Sequence, residues 1–327
     1  MPTNSLTEQQ IRDLLTSMQD HQTDCGFDAF VVMKDEPKLK SMVLSEGKNV
    51  TGKTFRDVLK DMFFSVIREN YLAPDAAYAD GTQLADDQHK FLIIKQSGAF
   101  TPFSFLNAAN TVEEFDSQDL SNAAGLVFKI RKGTDTIWCY QHLWSIMVPN
   151  KKKNHVMTRF CKFENQTVFS EQTESLLTIA HRVDILIVNG HLITGNTTLL
   201  QKNFGFRDYI YQSAAQAVTS ITENGLVSNA DKLTEYISRG KPKYAKKMMR
   251  IGNSRVLALS ANELYTKINT VQRWKDKFHI DETTHQIVLK TYTEVESLID
   301  LFDERYTRSD ITDTEYDTDV KTVAQPA

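Results

Sequence analysis

Cysteine is scarce in this chain. Its three residues, Cys25, Cys139 and Cys161, are odd in number and far apart, which argues against a disulfide framework and for a reducing compartment. No apolar run approaches the ~18–20 residues that a membrane-spanning helix needs. Met1-Pro-Thr-Asn-Ser-Leu-Thr-Glu8 lacks the basic and apolar regions of a secretion signal, so a cytoplasmic location is expected. The scattered serines and eight histidines show no local signature of a nucleophile elbow or a triad. No internal repeat is present. The most informative absence is local: between Glu235 and Glu263 there is no acidic residue at all.

What is present suffices for a globular protein. The chain has 327 residues, 41% of them apolar, enough for one large or two ordinary domains with a proper core. The net charge of −4 hides a segregation. From Asp300 onward eight carboxylates stand against three cations, which leaves 35 basic and 34 acidic side chains in the residues before it. Local clusters, not the mean charge, must therefore indicate partners.

The stretch from Gly125 to Gly195 reads as the centre of a sheet. Leu126–Arg131, Ile137–Val148, Val156–Phe163 and Val183–Val188 are rich in β-branched and aromatic residues, broken by turn residues such as Gly133 and Pro149. Asn189-Gly190, before His191–Thr194, supplies the two positive-φ residues of a type I′ hairpin. Upstream, Ser5-Leu-Thr-Glu8 fits a capping box ahead of a helix bearing Ile11, Leu14, Leu15 and Met18. Asp24–Met33 reads as a strand, and Phe55, Val58, Leu59, Met62, Phe63, Val66 and Ile67 lay a wide apolar stripe along a second helix. Residues 71–88 read as an exposed loop and Phe91–Ile94 as a strand.

Beyond Gly195 the pattern turns helical. Ile210, Ala214, Ala217, Val218 and Ile221 define one helix, and Glu223–Asn229 reads as a boundary. Leu264, Ile268, Val271, Trp274 and Phe278 predict one long helix, Gln286–Lys290 a strand, and Val295, Leu298, Ile299, Phe302 and Tyr306 a last helix. After Arg308 the Asp- and Thr-rich tail has too little apolar content to fold alone. The expected architecture is α+β: a largely antiparallel or mixed sheet packed with helices over 1–222, a mostly helical domain over 230–308, and a disordered acidic tail over 309–327.

The acid-free segment holds the candidate site. Pro242 suits the first turn of a helix. In a helix to about Ile251, Lys243, Lys246, Lys247 and Arg250 fall at i, i+3, i+4 and i+7 on one stripe, beside an apolar stripe of Tyr244, Met248 and Ile251. Like charges so spaced repel by a few tenths of a kcal/mol per pair, which an anionic partner relieves. Phosphate backbone fits, because multiple Lys and Arg contacts gain affinity by releasing counterions. Lys241, Arg255 and the basic knot Lys151-Lys152-Lys153 extend the candidate set. A solvated face, or one neutralised by the acidic tail, is the bland alternative.

Three other patterns point to different chemistry. Gly47-Lys-Asn-Val-Thr-Gly52-Lys53-Thr54 satisfies the P-loop spacing, but it lacks a good preceding strand, and the bland reading is that Thr54 caps a helix with Asp57. Glu36-Pro-Lys38 and Glu46-Gly-Lys48 resemble the end of a Mg²⁺-dependent nuclease site without a partner Asp on a convincing strand. Cys139 and His142 stand three apart on a strand and point to opposite faces, which disfavours a shared metal. No catalytic residue, cofactor or metal is assigned.

Phe128-Lys-Ile-Arg131, Ile137-Trp-Cys-Tyr-Gln-His-Leu-Trp144, Val183–Gly190 and Lys202-Asn-Phe-Gly-Phe-Arg-Asp-Tyr209 resemble the KwaB-like family of the bacterial Kiwa anti-phage defence system, over most of Gly125–Phe302. The resemblance implies a cytoplasmic effector that binds DNA, self-associates as a homodimer or higher assembly, and joins a multi-span membrane protein, KwaA, at the inner face of the membrane. It also implies interference with phage DNA replication or expression, with no catalytic motif to transfer. The expected activity is therefore non-enzymatic, sequence-independent binding of duplex DNA. The rivals are a P-loop switch, a nuclease, or an interaction subunit whose basic face meets acidic protein or lipid.

Overall fold

A computed structural model describes residues 6–34, 38–81, 90–96, 98, 100–109, 112–144, 161–163, 169–171, 177–252, 254–308 and 315–317. The chain divides into two compact units. The first comprises 1–78, 89–96 and 101–196, the second 79–88, 97–100 and 197–327. The break after Asn196 places the helix at 206–223 in the second unit, whereas the sequence pattern groups it with the sheet.

The first unit opens with helix α1 (Glu8–Asp20), strands β1 (Gly26–Met33) and β2 (Leu39–Met42), and helix α2 (Phe55–Val66), which runs on into a π turn to Tyr71. Strands β3 (Ala77–Asp80), β4 (Lys90–Lys95), β5 (Ala123–Lys132), β6 (Asp135–His142), β7 (Cys161–Phe163), β8 (Phe169–Glu171), β9 (Ile185–Val188) and β10 (His191–Thr194) follow. Eight of these form one sheet in the order β2-β1-β5-β6-β9-β10-β4-β3, and β7 pairs with β8. Its described ladders are antiparallel.

Alternation decides which side chains meet the helices. Phe27, Ala29 and Val31 of β1 and Leu126, Phe128 and Ile130 of β5 share one buried cluster with Ile11, Leu15 and Met18 of α1 and Leu59, Phe63 and Phe64 of α2. The ring of Phe63 lies 4.2 Å from Phe128 and 6.1 Å from Phe27. Val127 is fully buried on the opposite face, as is Ile185, so the central strands bury both sides and lose clean polar alternation. A Cβ at Gly125 would run into the Tyr140 ring, which makes glycine the residue that fits there. Asn189 (φ 46°) and Gly190 (φ 75°) form the expected hairpin turn between β9 and β10.

One local expectation shifts and another holds. Thr7 caps α1, accepting from the Gln10 amide at 3.2 Å while the Gln10 side chain accepts from the Thr7 amide at 2.9 Å. Ser5 lies outside the described residues, as do most of the 144–160 stretch and the strand expected to begin at Val156. Thr54 caps α2 through a reciprocal box with Asp57, as the pattern indicated.

The second unit contains α3 (Thr197–Asn203), α4 (Phe206–Glu223), α5 (Asp231–Ile237), α6 (Pro242–Ile251), α7 (Ala261–Thr270), β11 (His279–Ile280), β12 (Ile287–Val288), α8 (Tyr292–Phe302), β13 (Tyr306–Arg308) and β14 (Glu315–Asp317). Buried Ala214 and Ala217 of α4, with Ala245 of α6, supply small side chains where these two helices pack. The Asn229 side chain clamps Leu289, accepting from its amide at 2.9 Å and donating to its carbonyl at 2.7 Å.

The long helix expected through Phe278 stops at Thr270. Asn269, Thr270 and Val271 are weak helix formers, the Thr270 hydroxyl donates to the Lys267 carbonyl, and Val271 is already extended. Likewise α8 ends at Phe302, because Glu304 takes a left-handed φ of 48° and Tyr306 begins β13. Strand β14 pairs with β13, so the segment beyond Arg308, expected to be disordered throughout, contains a strand at 315–317.

Candidate nucleic-acid interface

Helix α6 forms as its sequence indicates, with Pro242 at its start. Its side chains divide differently from the expected stripe. Lys246 is buried, with its ammonium 5.9 Å from the Phe206 ring centre. Lys247 donates to Glu296 of α8 at 2.8 Å, and Nε of Arg250 donates to Asp303 at 2.7 Å. The Lys243–Arg250 row is therefore not a uniformly exposed cationic face. Glu296 and Asp300 of α8 and Asp303 at its C-terminal cap recur at i, i+4 and i+7, an acidic stripe complementary to the basic one. The hydrogen bonds to Glu296 and Asp303, and not the spacing, identify the segment from α8 to its C-terminal cap as the neutralising partner.

Glu296 also accepts from the Tyr236 hydroxyl at 2.6 Å. Burial pushes its carboxyl up, but the hydrogen bonds from Lys247 and Tyr236 outweigh burial and hold it below the ordinary range. For the nearby Asp300, burial wins and the carboxyl titrates above its ordinary value despite Arg305.

The exposed cations sit at the other end of the helix. Arg239, Lys241 and Lys243 are all exposed. The Arg239 guanidinium lies 4.4 Å from the Tyr244 ring centre and 4.7 Å from that of Tyr292, and Lys243 is 5.1 Å from Tyr244. No side chain caps α6, and its first turn carries no acid. The positive end of the helix dipole thus adds to three exposed cations, two of which, Arg239 and Lys243, lie over aromatic rings. Neither Arg239 nor Tyr292 was assigned from sequence: the first lies before the helix, the second about fifty residues away. Arg255 is exposed on a 3-10 turn, and Lys151, Lys152 and Lys153 lie outside the described residues.

The rival sites take on other roles. In the P-loop-like segment, the Asn49 side chain accepts from the amides of Thr51 and Lys53 at 2.9 and 3.1 Å. The Gly52 amide donates to the Asn49 carbonyl, and the Thr54 amide to Asp57. The amides that would cradle phosphates are spent inside the loop, and the Lys53 ammonium is paired with Asp61. Glu46 faces Arg56 at 3.8 Å, and Glu36 lies outside the described residues. Cys139 is fully buried, and burial drives its thiol far above the ordinary range. His142 instead meets the Tyr140 hydroxyl at 3.2 Å, and burial lowers its pKa. Among the described residues no group of three or more His, Cys, Asp or Glu is placed to hold a metal.

A model of the Kiwa protein KwaB-like family matches residues 120–312, more than half of the chain. The chain belongs to the KwaB-like family. It is therefore a component of Kiwa anti-phage defence. The KwaB-like match begins at the last residues before β5 and contains α6, α8 and the exposed basic cluster. Strand β1, which pairs with β5 along its length, precedes the matched region, so residues outside it complete the sheet. No curated protein and no solved structure matches the chain. No helix among the described residues is long and apolar enough to cross a membrane.

Proposed function

We propose that this KwaB-like protein binds duplex DNA through phosphate contacts, without reading base sequence, and thereby blocks phage DNA replication or expression. It works as a homodimer or higher assembly, brought from the cytoplasm to the inner face of the membrane by a KwaA-like multi-span partner. Location then selects the invading DNA, because phosphate contacts alone do not distinguish sequences. The observation that carries the reading is the exposure of Arg239, Lys241 and Lys243 around the acid-free start of α6. Lys246, Lys247 and Arg250 serve instead to seat the helix against its neighbours.

The test is binding of a labelled random-sequence duplex over a salt series. Three phosphate contacts give a log–log slope of about −3. Arg239→Gln/Lys241→Gln/Lys243→Gln is expected to weaken binding at least tenfold and to flatten that slope. A variant with unchanged affinity and slope would overturn the assignment, and salt-insensitive binding by the parent protein would overturn the phosphate reading itself.

A further inference from the structure

A second site in the helical unit has a different chemistry. A cavity of about 370 Å³ opens beside α7 and the end of α8, floored by buried side chains including Ile268 and walled by Trp274 and Tyr306. The two rings stand 5.7 Å apart at 59°. Each is held from outside the cavity: Phe278 stacks on Trp274, and the Arg273 guanidinium lies 3.7 Å from the Tyr306 ring centre. Exposed Arg255 and Lys267 stand at the rim, with a single carboxylate, Glu304. The left-handed turn at Glu304 that ends α8 brings this carboxylate to the same opening.

These features call for a ligand with a flat aromatic body, an anionic head and a hydrogen-bond donor on its edge. We propose that this cavity binds a single nucleotide unit. The base lies against Trp274 and Tyr306, and its phosphate is held by Arg255 and Lys267. Glu304 accepts from the amino group of cytosine, adenine or guanine. Uracil and thymine present carbonyl oxygens where cytosine presents its amino group, so a carboxylate disfavours them. Aromatic walls suit any base, because every base offers a π face, and the volume falls within the range of small-molecule sites. The site stands independently of duplex binding at Arg239, Lys241 and Lys243.

Titration of the whole protein with CMP, UMP and inorganic phosphate, read by calorimetry and by quenching of tryptophan emission that Trp274→Phe abolishes, tests this. CMP is expected to bind at least fivefold more tightly than UMP, and phosphate more weakly than either. Arg255→Gln/Lys267→Gln should weaken CMP about tenfold, with the circular dichroism spectrum retained. Glu304→Gln should erase the CMP preference, because an amide both donates and accepts. Arg239→Gln/Lys241→Gln/Lys243→Gln should leave CMP binding unchanged. Oligo(dC) competing more tightly than CMP identifies a DNA strand as the source of the unit, and failure to compete identifies a free nucleotide. Phosphate binding as tightly as CMP, equal binding of CMP and UMP by the parent protein, or no CMP binding at millimolar concentration would each overturn the proposal.

Discussion

Lys247 on α6 and Glu296 on α8 meet across 2.8 Å, and the same carboxylate receives the Tyr236 hydroxyl at 2.6 Å. A basic helix is thereby tied to an acidic one, and two cations of an apparent DNA-binding row become structural.

Removing the shared acceptor should show this. Glu296→Ala leaves the half-buried Lys247 ammonium and the buried Tyr236 hydroxyl unpaired, at an expected cost of about 1–3 kcal/mol. The drop should appear as a lower urea midpoint at constant slope. An unchanged midpoint would mean that water replaces both bonds at no cost.

Acid should destabilise the helical unit through its capping carboxylates. Burial pushes Glu294 up, but the amides of Lys290 and Thr291 and the ring of His279 outweigh it and hold its pKa below the usual value. A folded-state pKa below the unfolded value contributes stability that is complete above the unfolded pKa of about 4.3. That contribution is lost as pH falls through the lower folded-state value. Stability should therefore fall below about pH 4, and fall less steeply in Glu294→Gln; equal acid profiles would contradict the linkage. Asp300, whose pKa is raised, works in the opposite sense.

The sheet core should be intolerant of truncation. Phe63→Ala, at a fully buried ring against Phe27 and Phe128, is expected to cost about 3–5 kcal/mol. Gly125→Ala should cost about 1–3 kcal/mol by overpacking against Tyr140. Thermal unfolding separates both from the parent, and a neutral Gly125→Ala would show that the ring moves freely aside.

Lys53→Ala tests the P-loop-like segment. Its ammonium is committed to Asp61 and its loop amides to Asn49. Mg²⁺-ATP affinity and duplex binding are expected to match the parent protein in an equilibrium titration. Nucleotide binding that disappears with this single change would restore the loop as a phosphate cradle.

Much of the fold was legible because its causes are local. Asn189-Gly190 satisfies its own turn, Thr54 and Asp57 satisfy each other across three residues, and Pro242 starts α6 by lacking an amide hydrogen. The apolar stripe of α2 reported its buried face only in part: Leu59, Phe63, Val66 and Ile67 are buried, but Phe55 and Val58 in the first turn are exposed. Competition at a helix end was harder to read, since Trp274 and Phe278 continue the helical spacing although weak helix formers at 269–271 end α7.

The sequence by itself determined the α+β pattern, most element identities, the family and the acid-free basic segment. Tertiary structure alone decided which cations remain available. Lys247 and Arg250 lie 49 and 53 residues from their carboxylate partners, a separation over which spacing rules carry no information. Packing α6 against α4 and α8 buried one lysine and paired two other cations, leaving Arg239, Lys241 and Lys243 exposed at the helix start. A buried charge must be compensated where it lies, so the fold, not the local pattern, sorts structural cations from those free to meet a partner.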